Sequence, residues 1–508
     1  MKRRTFGKIV AITSLSSPLK RVLANPYSKF ASKVLPEVTD NGNSVERCIN
    51  SRYSFHSGYT ATLPHEVVAN ILWAASSAPL IADERKIYAA TSDNLYLCSK
   101  KDDVLQLDVH ASGDKRVDSS SALQVGISTT PEDIPEDAGV ALHLAQLASV
   151  ASWKSTVDQP ACLPSEAAWN IAKTSWNTLT KLHLVSCFGL SKSVKGLKYD
   201  CVAVSSDKTL PDPKTDGIVS FEAAIKKLSF GTEFTSDDLT KEEVSQLLWA
   251  SYGVTPHTVI GGNNAANAVA SHTAQYFLSG KIYLVSSIGV QRYQIRKTPK
   301  DLVNRDHRLE EVKTGDARTA LRSVSSKLPQ NAPAYIIFCG SKIEAKQQME
   351  AGFAGAGALL QATAMGLQGH YAARFTDAER AALQAACGIP AADLPILVFS
   401  AGHVAGTGKT ASKNVVSPSG TDFSAMPLQF RDHTIFNLHS TTPINGELCI
   451  YDELGKIVRR IRVTGKGGTV RVRWDGCDRH GNKVATGAYS CVMTYPSGKA
   501  MVKVTKLR

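Results

Sequence analysis

The sequence predicts an α+β protein, made of two tandem α+β domains packed as an internal pseudo-dimer and followed by a small all-β sandwich. Three observations predict this. Short motifs recur in one order in the two halves of residues 40–415. Each half alternates helical with strand periodicity, and beyond residue 432 only short alternating strands remain.

The first element in the chain is a leader. Met1-Lys2-Arg3-Arg4-Thr5-Phe6-Gly7-Lys8 precedes a mild apolar run from Ile9 to Leu15. A basic segment before an apolar one is the layout of an export signal, and Arg3-Arg4-x-Phe6-x-Lys8 is similar to a twin-arginine signal. Residues 1–24 are expected to be a signal peptide cut near Val22-Leu23-Ala24, placing the protein in the periplasm, on the surface or outside a bacterial cell.

The first copy spans residues 40–205. In it, Arg52-Tyr53-Ser54-Phe55-His56 precedes a helix over 64–76, whose Val67, Val68, Ile71, Leu72 and Ala75 share one face. The second copy spans residues 215–415. There Lys227-Leu228-Ser229-Phe230-Gly231 precedes a helix with Val244, Leu247, Leu248 and Ser251 at the same spacing, opened by the capping box Thr240–Glu243. Ser54 and Ser229 match at an offset of 175, and Trp73 and Trp249 at 176. Lys86-Ile87-Tyr88 matches Lys281-Ile282-Tyr283 at 195, which implies an insertion of 19 residues in the second copy. Asp137-Ala138-Gly139 matches Glu350-Ala351-Gly352 at 213, as does 184–189 with 397–402. Residues 408–422, rich in Ser, Thr, Gly and Lys, read as a linker.

The sandwich occupies residues 432–508, with strands at 447–452, 457–463, 469–474, 488–495 and 500–505. Asp475-Gly476 and His480-Gly481-Asn482 supply turns between them. Arg471 and Arg473 flank Val472 and so lie on a solvated face. Cys449 and Cys491 both fall on strands of this module and are the expected disulfide pair.

Composition excludes several classes. The formal charge of +13 suits anionic ligands, but the basic residues are not gathered with aromatics into a nucleic-acid module. Ten cysteines without a CxxC pair disfavour a structural zinc site or a redox dithiol, and the histidines lack ligand spacing, so no metal is expected. No apolar run is long enough to span a membrane as a helix. GHVAGTGKT over 402–410 has five residues between Gly402 and Gly408 where a P-loop needs four.

The repeat resembles the nitroreductase-like flavoprotein family. That family opens with a base, any residue, Ser, any residue and a base, set before a helix and used on the FMN phosphate. Arg52, Ser54 and His56 match this in the first copy; Lys227 and Ser229 match in the second, where Gly231 departs from it. A dianionic phosphate calls for charged donors and a hydroxyl. The family's Ser-rich loop, reaching a Gln and an aromatic, resembles Ala270-Ser271-His272-Thr273-Ala274-Gln275-Tyr276; the first copy has the apolar Ala78-Pro79-Leu80-Ile81-Ala82 instead. The family's Glu-Ala-Gly helix resembles 350–367, where Gly352, Gly355 and Gly357 allow close packing against a partner helix or the flavin ring. Its strand ending in Gly before a basic segment resembles Gly402-His403 with Lys409.

Leu-Leu-Trp-Ala-Ser-Tyr-Gly over 247–253 is similar to the azoline-oxidising dehydrogenase branch. Leu197-Lys198-Tyr199 matches that branch's catalytic wording but follows the long helix instead of preceding it, and reads as coincidence. Family enzymes are usually homodimers with FMN between subunits, so two fused copies imply a pseudo-dimer in which one site has decayed. The resemblance implies FMN as cofactor, NAD(P)H as a donor and a small organic acceptor.

The C-terminal module resembles the Ig-like domain of flagellar hook-capping proteins, through Tyr451-Asp452-x-x-Gly455, Val470-x-x-x-Trp474-Asp475-Gly476 and Gly487-x-Tyr489. This implies contact with the envelope or a secretion machine. Two functions stand: an FMN-dependent oxidoreductase, or a flavin-less scaffold of the same fold docked through its Ig-like module.

Overall fold

A computed structural model describes residues 34–52, 54, 59–60, 62–101, 104–153, 159–176, 178, 181–191, 210–259, 262–269, 276–296, 305–404, 422–426, 429–431, 433–440, 443–452, 457–465, 468–479, 481–495 and 498–507. The leader, the 408–421 part of the linker, His56, Ser271, Gln275, Lys409 and Leu197-Lys198-Tyr199 lie outside the described residues. The chain divides into two compact units, Met1–Gly406 and Thr407–Arg508.

The first half of the N-terminal unit runs α1 (Val45–Ser51), β1 (Tyr59–Thr60), α2 (His65–Ser77), β2 (Glu84–Ala90), β3 (Asn94–Lys101), β4 (Val104–Ser112), β5 (Leu123–Thr130), α3 (Pro135–Ala151), β6 (Gln159–Ser165), α4 (Glu166–Ser175) and β7 (Leu182–Ser191). The second runs α5 (Phe221–Lys227), α6 (Lys241–Tyr252), β8 (Val254–Val259), β9 (Gly262–Asn267), β10 (Ile282–Ser286), β11 (Gly289–Arg296), β12 (Arg305–Thr314), α7 (Arg318–Arg322), β13 (Ala334–Gly340), α8 (Ala345–Ala364), β14 (Gln368–Ala372), α9 (Asp377–Cys387) and β15 (Leu394–Gly402). The first sheet is ordered β1-β7-β5-β2-β3-β4, with β6 also on β7; the second is β12-β11-β10-β13-β15-β14. Laid side by side, β4-β3-β2-β5-β7-β6 and β12-β11-β10-β13-β15-β14 are the same antiparallel layout. The inserted residues of the second half include the hairpin β8–β9.

The halves meet through paired contacts. Ser44 and Ser220 cap α1 and α5 by accepting from the Arg47 and Ala223 N–H groups at 3.1 and 3.2 Å. The same two serines face each other in an antiparallel bridge, where Val45 N–H donates to Val219 O and Phe221 N–H to Asn43 O. The Asn70 amide brackets the backbone of Thr39, and the Gln246 amide brackets Lys214 in the same way.

Every residue of α3 is buried, as is most of α8, so both helices are apolar over nearly their whole circumference. They cross where Gly139 and Gly352 touch. A Cβ on Gly139 would run into the Met349 carbonyl, and one on Gly352 into the Glu136 carbonyl. Gly352 is therefore a packing residue against a partner helix. Gly355 meets Leu397 and Tyr371 of its own sheet, and Gly357 meets α6 at Ala250.

The C-terminal unit has a three-stranded sheet of β16 (Asp422–Met426), β18 (Thr434–Ser440) and β21 (Gly468–Trp474). Its five-stranded sheet has β17 (Gln429–Phe430), β19 (Ile444–Tyr451), β20 (Ile457–Gly465), β22 (Gly487–Tyr495) and β23 (Gly498–Lys506). The sandwich thus begins before residue 432, because β16 pairs with β18 along its full length. Trp474 fills the core against Phe430 and Tyr489, and its indole N–H donates to Cys477 O at 2.9 Å. Arg471 and Arg473 are exposed, as their alternation with Val472 predicts.

The expected Cys449–Cys491 disulfide is absent. Cys491 pairs with Ile450, one position along from Cys449, so the two thiols point to opposite faces of the sheet. Cys491 lies in the core, whereas Cys449 donates to Glu447.

Candidate functional site

Arg52 is the C-cap residue of α1, and its side chain is buried at 1% exposure. Its Nε donates to Ala268 O at 3.3 Å, and its Nη2 to Asn267 O and Val269 O at 3.0 Å each. A first-half guanidinium thus clamps the second-half backbone that leads into the Ser271–Gln275 loop. Its Nη1 has no partner among the described residues. A buried guanidinium nitrogen left open is costly unless something anionic or polar meets it.

The surroundings of Arg52 carry further polar groups. Ser54 is half-buried and bridges to Cys162 on β6. The Cys162 thiol, pushed up by burial, lies within hydrogen-bonding reach of Ser149 and Arg52. His143 on α3 is fully buried, and neither ring nitrogen is bonded among the described residues. Burial first, and the Arg52 charge second, pull its pKa down to about 3, so this ring is neutral. A buried cation, a hydroxyl at the start of the same motif and a neutral imidazole can receive a phosphate or another compact anion.

The second half presents a different face at the matching place. Helices α1 and α5 start 176 residues apart, at Val45 and Phe221. Ser54 bridges in parallel to β6 as Phe230 does to β14, again 176 apart. The structural counterpart of Arg52 is therefore Leu228, and that of Ser54 is Phe230. Matching the two Ser-Phe dipeptides slipped the register by one residue. Lys227 and Ser229 are exposed, and the structure does not bring them to Arg52. The capping serines were the better anchor, since they give the offset that the two tryptophans also give. Gly231 faces Gln368, whose side chain fills the space a Cβ would take. Gly402 ends β15 beneath Pro333 and Phe234.

The loops after α2 and α6 are each pinned by a carboxylate from a long helix. Asp137 accepts from Ile81 N–H at 2.7 Å and from Arg85 Nε and Nη2 at 2.6 and 2.7 Å. Arg85 in turn donates to the carbonyls of Ala75, Ala78 and Pro79. Glu350 accepts from Leu278 N–H at 3.1 Å and from the Tyr252 hydroxyl. Burial pushes the Glu350 carboxyl up to about 7. The sequence aligned these two carboxylates but did not reveal their partners.

A cavity of about 1030 Å3 opens between the second half's Phe230–Glu233 segment, the end of β14, the 326–331 loop and the first half's Leu80 and Ile81. No cluster of metal-ligating side chains occurs among the described residues, and no described helix is long and apolar enough to cross a membrane.

Residues 233–403 match the family model described as Nitroreductase family, and 433–499 match the FlgD Ig-like domain. The chain thus carries a nitroreductase-like α+β domain and a C-terminal Ig-like region. A protein named as a nitroreductase from Anabaena variabilis is 11% identical, covering 75% of this chain and 93% of that one, with a TM-score of 0.48. One so named from Ralstonia eutropha is 24% identical over 42% of this chain and 96% of its own, at 0.31. An FMN-dependent nitroreductase from Clostridium difficile is 13% identical over 36% and 86%, at 0.25. No curated protein sequence matches the chain.

Proposed function

We propose that the protein is an FMN-dependent oxidoreductase of nitroreductase type, with the two halves as tandem copies forming a pseudo-dimer that holds one flavin. Bound there, FMN would supply hydride transfer, from NAD(P)H or another donor to a small organic acceptor. The observation that carries the reading is the open Nη1 of buried Arg52, at the head of the Arg52-x-Ser54-x-His56 signature. Arg52, Ser54 and His56 of the first copy would hold the phosphate, and Ser271 and Gln275 of the second copy would bind the flavin ring. Leu228 and Phe230 offer no charge to a phosphate, which supports one flavin in place of two. The leader supports action outside the cytoplasm, and the Ig-like module supports docking to an envelope or secretion component.

The test is an absorbance spectrum of the full chain, with FMN counted after heat release. One FMN per chain is expected. Charge-assisted hydrogen bonds are worth about 1.5–3 kcal/mol each, so Arg52→Lys and Ser54→Ala should each weaken FMN by roughly tenfold or more. A folded, colourless protein that takes up no added FMN overturns the reading. It would leave the flavin-less scaffold, which the apolar second signature favours.

A further inference from the structure

The segment 210–217 is a strap between the two halves. Leu210 N–H donates to His307 O at 3.0 Å, the Gln246 amide brackets Lys214, and Gly217 N–H donates to Ser44 Oγ of the first half at 3.0 Å. The first half holds its matching segment by the same bonds: Leu35 N–H donates to Leu105 O, and Asn70 brackets Thr39. The side chains behind those bonds differ. Leu105 stands where His307 does, and Ala69, 176 residues before Ser245, stands where that serine does; both are apolar and buried.

A bulge brings His307 to the strap. Gln294 pairs with Arg308 and Arg296 with Arg305, so Asp306 and His307 stand together opposite Ile295. His307 adopts a left-handed φ of 44° and is 2% exposed. Its Nε2 lies 2.8 Å from Ser245 Oγ on α6, and its Nδ1 lies 2.8 Å from the Tyr293 hydroxyl on β11. The Ser245 hydroxyl donates to Pro211 O of the strap at 2.6 Å. With its one hydrogen spent on that carbonyl, Ser245 Oγ accepts from Nε2–H. Nδ1 is then bare and accepts from Tyr293. One chain of donors thus runs from Tyr293 through His307 and Ser245 to Pro211. The serine is no nucleophile, because the imidazole aims a hydrogen at it and both side chains are buried.

This chain fits the neutral imidazole. A proton on Nδ1 opposes the hydroxyl hydrogen aimed at it and puts a charge in a dry site. Asp306 and Arg308, which flank His307 on β12, pair with each other. Asp212 follows Pro211 on the strap, and Glu46 of α1 lies against Gly217 at its far end. From α6 and β11 the ring meets neutral hydroxyls. We propose that His307 is an acid-released latch: neutral, it fastens the strap to α6 and β12, and its protonation frees the strap and loosens the tie between the halves.

Hydrogen exchange of the Leu210 amide in the full chain, corrected for the intrinsic effect of pH on exchange, tests this. The Leu35 amide is the internal reference, since its partner Leu105 cannot titrate. Between about pH 8 and about pH 5, where histidine changes charge, protection of Leu210 should fall while that of Leu35 holds. The expected fall is about tenfold, the worth of one or two hydrogen bonds. His307→Asn tolerates the left-handed φ and does not titrate, so Leu210 should be less protected throughout and show no further fall in acid. Tyr293→Phe removes a bond that only the neutral ring accepts, so the fall should move to higher pH. Equal protection of Leu210 across the range overturns the proposal, as does a parallel fall at Leu35. An acid response that survives His307→Asn overturns it too. Should that variant not fold, an unmoved midpoint in Tyr293→Phe does the same.

Discussion

The two halves of the N-terminal unit solve one backbone problem differently. After its second helix each chain segment must satisfy a run of loop carbonyls before entering the sheet. In the first half Arg85 does this from within, holding the carbonyls of Ala75, Ala78 and Pro79 while Asp137 neutralises it. In the second half the counterpart of Arg85 is Gly280, which has no side chain, and the neighbouring Lys281 donates to Phe277 O. The carbonyls of Asn267, Ala268 and Val269 are served by Arg52 from the opposite half. Leu228, the counterpart of Arg52, has no such duty, because Arg85 has already met it. What the halves share, the capping serines and crossing glycines, holds them together. What they do not share, the Arg52 clamp and the Arg85–Asp137 pair, sets the two halves apart.

The comparison can be broken by restoring the lost signature. Leu228→Arg with Phe230→Ser should raise bound FMN from one to two per chain, counted by absorbance after heat release; a count that stays at one would mean that these positions do not set the difference. The next largest effect is on stability. Asp137→Ala strands the Arg85 guanidinium, whose side chain is 3% exposed, and should cost about 3–5 kcal/mol in urea unfolding. Gly352→Ala pushes a methyl into the Glu136 carbonyl and should cost about 1–3 kcal/mol, with Gly139→Ala costing the same because the crossing is reciprocal.

The smallest effect is a slope. The Glu350 carboxyl is raised from 4.5 to about 7 in the fold, so its contribution is present below pH 4.5 and is lost as pH rises through about 7. Glu222 is raised to about 7 as well, so the wild type carries both slopes. Glu350→Gln should flatten the fall in urea midpoint between pH 5 and pH 8. An unchanged slope would show that Glu350 titrates alike in the folded and unfolded chain.

Much of this fold was legible in the sequence, because its signals were local. The capping box at Thr240, the helical face of Val67 to Ala75 and the Ig turns at Asp475-Gly476 each declare themselves within a few residues. The two sheets share one strand order, and the second half also holds the hairpin β8–β9. The site was harder. A slip of one residue put Lys227 where Leu228 belongs, because a Ser-Phe dipeptide is degenerate while a capping serine is fixed by the helix it starts. Partnerships such as Arg52 with Ala268, or Tyr252 with Glu350, join residues 216 and 98 positions apart. No local pattern encodes them. The Cys449–Cys491 expectation failed because two strand cysteines one position out of register face opposite sides of the sheet.

The reciprocal crossing of Gly139 and Gly352 also bears on the order in which the chain can fold. Helix α3 is buried on all sides only once α8 lies against it, and α8 is made some two hundred residues later. At roughly 5–20 residues per second on the ribosome, that is a wait of about 10–40 s with an apolar helix uncovered. Only synthesis of the second half supplies the surface that covers this helix.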